Sequence, residues 1–418
     1  MSDPRVRSID ALECIEVRLE GVRPAGEAIP WVGRRRYLHA GPPLGLDELP
    51  GPMRGALLGA LVFEGEAEDL DGAEALVAAG AVEVEPCHDH GCVGAMAGIV
   101  TPRMPVVVVA AAGSRRAFSP INEGLGKALR FGSNDAATLA RLEWLAQAGA
   151  PTLDRAIQAS EPIDLTAMIA EGLRRGDECH NRNVASSASL MGRLAPAVAE
   201  ANPGSEAARV LAYGFGNRHF FLPFSIATAK LLADAAHDVD GSPIVTAMCG
   251  NGRRLGIRVS GLGRDWLTAP APIGDARFFD GYGAGDATPT MGDSFITETA
   301  GWGAFALAAA PAIVSFIGGD VDSCRRLVDG MRRICATESG RLLIPGEGFR
   351  GTPVGIDAGL AARHGIAPVV NNGIAHRDAG IGQVGAGITR LPLEPFERAA
   401  AALAEQERAP SGSGGGRG

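Results

Sequence analysis

The sequence predicts a multi-domain α/β protein of the α+β type. Residues 136–238 look helical, because apolar side chains recur there at helical spacing, as Leu139, Leu142 and Leu145 do. From Gly241 onward, short apolar runs alternate with glycines, a pattern typical of strands joined by turns. A chain of 418 residues is also longer than one hydrophobic core usually supports. We therefore expect two glycine-rich α/β domains with a helical segment between them.

The N-terminal α/β domain is predicted to cover residues 1–135. Residues 106–109 are four consecutive valines, which is typical of a buried strand. Residues 73–81 have the pattern of a short helix that ends at Gly80.

The helical domain is predicted to cover residues 136–238, with Asn134 or Asp135 as the first N-cap. Its expected helices are 136–145, 165–175, 185–201 and 224–236.

The C-terminal α/β domain is predicted to cover residues 239–405, followed by a flexible tail over 406–418 that is rich in glycine and serine. The expected strands of this domain include 257–260, 312–317 and 369–370. The chain holds 58 glycines, about twice the usual share of about 7%, which indicates many tight turns.

Composition argues against two classes of partner. The net charge is −9, so the chain lacks the basic surface that nucleic acid requires. No apolar run is long enough for a membrane-spanning helix, and the first residues lack the apolar core of a signal peptide. The seven cysteines include no CxxC pair, which argues against a disulfide framework or a zinc ribbon. We expect a cytoplasmic protein that binds neither nucleic acid nor membranes.

The densest reactive cluster lies at residues 85–92. It contains Cys87, His88, His90 and Cys92, whose imidazole and thiolate groups are good ligands for transition metals. The same histidines are also suited to acid–base chemistry without a metal. Metal sites usually have three or four protein ligands, and only two well-spaced histidines are visible, so we predict no tightly bound metal.

A second polar cluster covers residues 176–183, between two helical stretches. On a helix, Glu178 and Arg182 would form an i, i+4 pair, and the run would then be a solvated helix face. Cysteine, histidine and two asparagines replace the lysine and glutamate expected of such a face, which favours a functional site. The candidate side chains are Asp177, Glu178, His180, Asn181 and Asn183.

Further polar candidates are scattered over the second half of the chain. Guanidinium forks and amides hold phosphate or carboxylate well, and the glycine-rich stretch 380–387 can lend backbone amides to an anion. This stretch is neither a Walker loop nor a clean dinucleotide fingerprint, so we predict no cofactor. The candidates are His219, Asn251, Arg253, Arg258, Asp293, Glu298, His376 and Gln383.

Eight motifs, in the same order along the chain, resemble one known family. They cover residues 39–43, 87–90, 122–127, 176–183, 258–263, 292–294, 350–353 and 373–376. The family is the YlbE/AllG-like family, and the resemblance runs from about residue 37 to residue 397. It implies α/β domains that flank a helical one.

The resemblance also implies an enzyme of several subunits, an oxamate carbamoyltransferase of allantoin breakdown. Such an enzyme converts oxalurate and phosphate into oxamate and carbamoyl phosphate, or the reverse. Its expected partners are an acyl-CoA-synthetase-like subunit and a second small subunit, and we expect the chain to form a homo-oligomer. The motif positions imply His88, His90, His180, Asp177 and Glu178 as catalytic candidates, and the other residues named above as substrate-binding candidates.

The chain departs from the usual family pattern at four positions. The family usually has histidine at Asp89, proline at Ala95, aspartate at Arg218 and arginine at Gly250. Two alternatives therefore stay open: a hydrolase of a related ureide or amide, and a structural subunit without catalytic residues. We expect the two polar clusters and the segments of Asp293 and His376 to line one cleft.

Overall fold

The computed structural model describes residues 3–111, 115–201 and 204–408. Within them, helices and several small sheets alternate, which confirms the predicted α/β class. The helices are α1 Pro4–Cys14, α2 Ala25–Ala28, α3 Gly51–Phe63, α4 Leu70–Ala78, α5 Ala136–Trp144, α6 Ala150–Ala159, α7 Leu165–Arg174, α8 Val184–Ala201, α9 Ser205–Gly216, α10 Leu222–Ala235, α11 Ile296–Thr299, α12 Val314–Ile317, α13 Val321–Arg332, α14 Ala358–His364 and α15 Glu394–Arg408.

The strands form five small sheets, in which antiparallel pairing predominates. They are β1 Arg18–Pro24, β2 Arg36–His39, β3 Glu83–Pro86, β4 Pro105–Ala110, β5 Arg116–Pro120, β6 Val245–Asn251, β7 Arg254–Val259, β8 Leu267–Pro270, β9 Asp275–Phe278, β10 Met291–Gly292, β11 Cys335–Ile344, β12 Arg350–Ile356, β13 Val369–Ala375 and β14 Gln383–Arg390. The strand orders are β1-β4-β5, β10-β6-β7-β8, β11-β12, β13-β14-β9 and β2-β3, and the β2–β3 pair is parallel.

Capping explains where several helices begin. The Asp135 carboxylate accepts a hydrogen bond from the backbone N–H of Thr138, so Asp135 is the N-cap of α5, as its sequence predicts. Asp164 does the same for α7 through Ala167. The largest buried cluster draws apolar residues from near both ends of the described chain, from Leu12 to Leu403. The division into domains at residues 135 and 238 stays a prediction.

The prediction of a strand over 312–317 is wrong. Residues Pro311–Ile313 form a 3₁₀ turn, and α12 follows directly until Gly318, whose φ of 85° ends it. A short apolar run fits a buried helix as well as a strand, and periodicity alone does not separate the two. Helix α15 runs through residues 406–408, and the rest of the predicted tail lies outside the described residues.

Helix α10 is the element that positions both polar clusters. Its Ser225 hydroxyl donates to the carbonyl of Cys179 at 2.6 Å, and its Lys230 ammonium donates to the carbonyl of His88 at 3.1 Å. Five residues along a helix span about 7.5 Å, so the two clusters lie against neighbouring turns of one helix. Across residues 3–111, 115–201 and 204–408, we find no helix with the length and apolar character needed to span a membrane.

Candidate active site

The second polar cluster is a loop between α7 and α8, not the helix that would pair Glu178 with Arg182 through their side chains. Gly176 has a φ of 91° and Cys179 a φ of 60°, so the backbone leaves the helical region twice. The Asp177 carboxylate accepts hydrogen bonds from the N–H and the hydroxyl of Ser186, at 2.7 and 2.9 Å, and so satisfies the first turn of α8.

Glu178 holds the same loop from its other side. Its carboxylate accepts hydrogen bonds from the backbone N–H groups of His180, at 3.0 Å, and of Arg182, at 2.5 Å. Burial raises the pKa of Glu178 to about 7, although His180 and the Arg182 N–H oppose this effect. Glu178 therefore fixes the backbone on which His180 is carried.

The His180 ring is oriented by a carboxylate from a distant part of the chain. Its Nδ1 lies 3.1 Å from Glu298 Oε1 and 3.0 Å from the Thr297 hydroxyl, both on α11. The His180 and Glu298 side chains are buried. Burial alone lowers the pKa of His180, but the Glu298 carboxylate and then that of Glu178 raise it above its ordinary value. His180 therefore has the arrangement of a general acid–base whose ring is oriented by a carboxylate, that of Glu298.

A cavity of about 260 Å³ lies beside the residues that follow His180 along the chain. Asn181, Arg182, Arg218 and His219 are among the residues that line it, whereas His180 and Glu298 are not. The Asn181 Nδ2 is buried and has no hydrogen-bond partner among the described residues, so it is free to donate to a ligand. Arg182 donates to the carbonyl of Gly176 at 2.9 Å and lies 3.7 Å from the Asp177 carboxylate. Exposed Arg218, in contrast, has no ion-pair partner in the described part of the chain. The cavity thus offers two guanidinium groups and a buried amide to an anion.

His219 lines the same cavity with an uncharged ring. Burial lowers its pKa to about 3, and Arg130 acts in the same direction. The neutral ring donates from Nε2 to the carbonyl of Asn181 at 2.7 Å. On the opposite side of the loop, Asn183 donates to the carbonyl of His180 at 2.5 Å.

The first polar cluster lies in a different cavity, of about 160 Å³, lined by His88, Asp89, Lys230 and Arg258, among others. Within it, Arg258 pairs with Asp89 at 2.6 Å. His88 Nε2 lies 3.6 Å from Asp293 Oδ1, so these two candidates do come together. His90 instead pairs with Glu85 at 2.6 Å.

Four other candidates have local partners within the described residues. The side-chain Oδ1 of Asn251 accepts from the backbone N–H groups of Arg253 and Arg254 and so stabilises the β6–β7 turn. Its side-chain Nδ2 donates to the carbonyl of Pro42. The other three bind nearby backbone groups: Arg253 donates to the Glu48 carbonyl, His376 accepts from the N–H of Asp378, and Gln383 donates to the Gly385 carbonyl. Their role in a site stays a prediction. The expectation of a single cleft is not confirmed, because the two clusters line separate cavities.

Sequence reasoning missed two residues beside His88. Lys230 is the one charged residue within the apolar stretch 222–233, and a lysine there is a detectable signal because burying it requires partners. The partners of Lys230 are the His88 carbonyl, 3.1 Å from its Nζ, and the Asp234 carboxylate, 2.6 Å from its Nζ. Cys249 gives no comparable signal, since an isolated cysteine in an apolar strand is usually a core residue.

Comparison with known protein sequences gives three matches. Residues 82–294 match the family model described as oxamate carbamoyltransferase subunit AllG. A protein of Escherichia coli K12 named "Oxamate carbamoyltransferase subunit AllG" is 43% identical over 389 residues, which is 92% of this chain and 93% of that protein. The uncharacterized protein YahG of the same organism is 41% identical over 383 residues, covering 91% of this chain and 81% of that protein.

The fold also matches a crystal structure. A conserved protein of unknown function from Enterococcus faecalis V583 superposes with a TM-score of 0.93 at 40% sequence identity. The match covers 96% of this chain and 97% of the other, so the two share one fold along nearly their whole length.

Proposed function

The chain belongs to the AllG family of oxamate carbamoyltransferase subunits, and from that premise we propose that it works in an enzyme that moves a carbamoyl group between phosphate and oxamate. In the degradative direction, a phosphate oxygen attacks the carbamoyl carbon of oxalurate. The bond from that carbon to the amide nitrogen breaks, and the nitrogen takes a proton as oxamate leaves. The other product is carbamoyl phosphate. This is the reaction of ureide and allantoin breakdown that the family resemblance implies.

The proposal is carried by the buried His180–Glu298 pair together with the anion-binding groups of the cavity that the next residues along the chain, Asn181 and Arg182, help to line. His180 gives its proton to the departing nitrogen, and in the reverse direction it removes a proton from oxamate. Glu298 favours the protonated ring, which suits the acid needed for breakdown. Arg182, Arg218 and the free amide of Asn181 bind the carboxylate or phosphate of the substrates.

The proposed enzyme includes two further subunits, one acyl-CoA-synthetase-like and one small, and the chain itself is proposed to be a homo-oligomer. The test mixes oxalurate with and without phosphate and measures carbamoyl phosphate and oxamate, first with this chain alone and then with both partners. We expect the release of oxamate to depend on phosphate and to equal the amount of carbamoyl phosphate formed.

Oxamate release without phosphate would instead identify a ureide hydrolase, and no turnover by an assembled complex would contradict the proposal. Arg218→Ala should chiefly raise the KM for the anionic substrate. Arg363→Ala, which removes an exposed guanidinium on α14, is its control.

A further inference from the structure

His88 is a buried histidine without a hydrogen-bond partner. Its side chain has no exposed surface, and neither Nδ1 nor Nε2 makes a hydrogen bond within the described residues. Leaving a buried polar group unsatisfied destabilises a fold, so native proteins rarely leave both nitrogens of a ring unpaired. Trp266 packs its ring against His88 edge-on, with centroids 5.4 Å apart, and holds the imidazole in place. The ring is therefore fixed but lacks the partner that its nitrogens require.

Two further donor side chains converge on this ring from other parts of the chain. One donor atom each from His88, Cys249 and Asp293 lies within 4.8 Å of the others, and all three residues are buried. The pairing of β6 with β10 explains part of this, because Gly292 lies opposite Gly250 and so brings Asp293 next to Cys249. The turn after β3 supplies His88.

Backbone amides orient the carboxylate of Asp293 and leave lone pairs on its oxygens available. Oδ1 accepts from the N–H of Gly41 at 2.7 Å, and Oδ2 accepts from the N–H of Gly94 at 2.9 Å. Each carboxylate oxygen has a second lone pair, so one remains free to bind a cation. Outer hydrogen bonds of this kind are what orient the ligands in protein metal sites.

We propose that His88, Cys249 and Asp293 bind one divalent transition metal of the zinc class. This proposal replaces the expectation of no tightly bound metal, because the fold brings His88 two further ligands that no local pattern shows. Imidazole and thiolate ligands select against Mg²⁺ and Ca²⁺, which prefer oxygen. The nearby cations do not oppose this, because Lys230 pairs with Asp234 and Arg258 pairs with Asp89. Catalytic zinc sites have three protein ligands and one open position. Of the three ligands, His88 also lines the cavity of about 160 Å³, so we place the open position, which takes water or a small anion, on the side of His88.

This site goes beyond the proposed carbamoyl transfer and is tested without measuring activity. The full-length protein is treated with a chelator and then titrated with Co²⁺, which reports tetrahedral binding through its visible absorption and thiolate ligation through an ultraviolet charge-transfer band. We expect about one Co²⁺ per chain with a thiolate band, and competition by Zn²⁺.

Cys249→Ser should remove the thiolate band, and Asp293→Asn should weaken Co²⁺ binding by about tenfold or more. The control is Cys335→Ser, which changes another buried free cysteine, on β11, and should leave the spectrum unchanged. A folded parent protein that binds no stoichiometric Co²⁺ would overturn the proposal whatever the variants do. A thiolate band that persists in folded Cys249→Ser would overturn it as well.

Discussion

Replacing Glu298 with glutamine should weaken both the stability of the protein and the basicity of His180. The glutamine oxygen can still accept from the N–H of Ala304, which lies 2.9 Å from Glu298 Oε1, but the negative charge beside His180 is lost. A hydrogen bond to a charged group contributes about 1.5–3 kcal/mol, against about 0.5–1.5 for a neutral one. We therefore expect the free energy of unfolding to fall by about 1–2 kcal/mol.

The loss of stability in Glu298→Gln should depend on pH. The pKa of His180 is raised in the folded protein, so the stabilisation is fully present below the unfolded pKa, about 6.5. It is lost as the pH rises through the folded pKa. The stability difference between the parent and Glu298→Gln should therefore be largest in acid and shrink as the pH rises. In the variant only Glu178 still opposes the effect of burial on the ring, so the pKa of His180 should fall.

Urea unfolding at several pH values from about 5.5 to about 9 measures this difference. The control is Glu171→Gln, which removes a carboxylate that pairs with Arg175 at 2.9 Å on the surface of α7. It should cost about 0–1 kcal/mol. If the stability gap of Glu298→Gln grows with pH, or matches that of Glu171→Gln throughout, the reasoning about the His180–Glu298 pair is refuted.

Two further predictions concern packing and burial. In Gly387→Ala, the new Cβ would lie 2.0 Å from the carbonyl oxygen of Asp275 on the paired strand β9. The free energy of unfolding should therefore fall by at least about 1–3 kcal/mol. Gly340→Ala is the control, because Gly340 has open space around it and its substitution should change the free energy of unfolding little in the same urea melts. Because burial lowers the pKa of His219 to about 3, its NMR signals should remain those of a neutral ring down to about pH 4. The stability it contributes is present above about pH 6.5 and lost as the pH falls towards the folded pKa, and a titration near pH 6.5 in the folded protein would show the burial argument to be wrong.

Local sequence signals predicted four of the six helices that the structure describes between residues 136 and 238. The four helices expected between residues 136 and 238 correspond to α5, α7, α8 and α10, because their apolar periodicity and the cap at Asp135 are local features. Helices α6 and α9 were not predicted. The run 312–317 was assigned wrongly, since its six residues carry too little periodicity to distinguish a strand from a buried turn of helix.

The composition of the loop 176–183 was a sufficient signal to single out His180, but the geometry of the site depends on distant pairing. Glu298 lies 118 residues from His180, and Asp293 lies 205 residues from His88. Only strand registers and helix packing decide which distant side chains meet, and no local pattern encodes them. For the same reason, the sequence shows two histidines at residues 88 and 90, while the fold brings Cys249 and Asp293 to only one of them.

The turnover of His180→Ala within the assembled enzyme tests the proposed mechanism most directly. With saturating oxalurate and phosphate, kcat should fall by about 10²–10⁴-fold, the usual contribution of a positioned acid–base group. His364→Ala, which changes an exposed histidine at the end of α14, should leave kcat unchanged. If folded His180→Ala in an intact complex keeps kcat within about threefold of the parent, a difference under about 0.7 kcal/mol, then His180 is not the proton-transfer group.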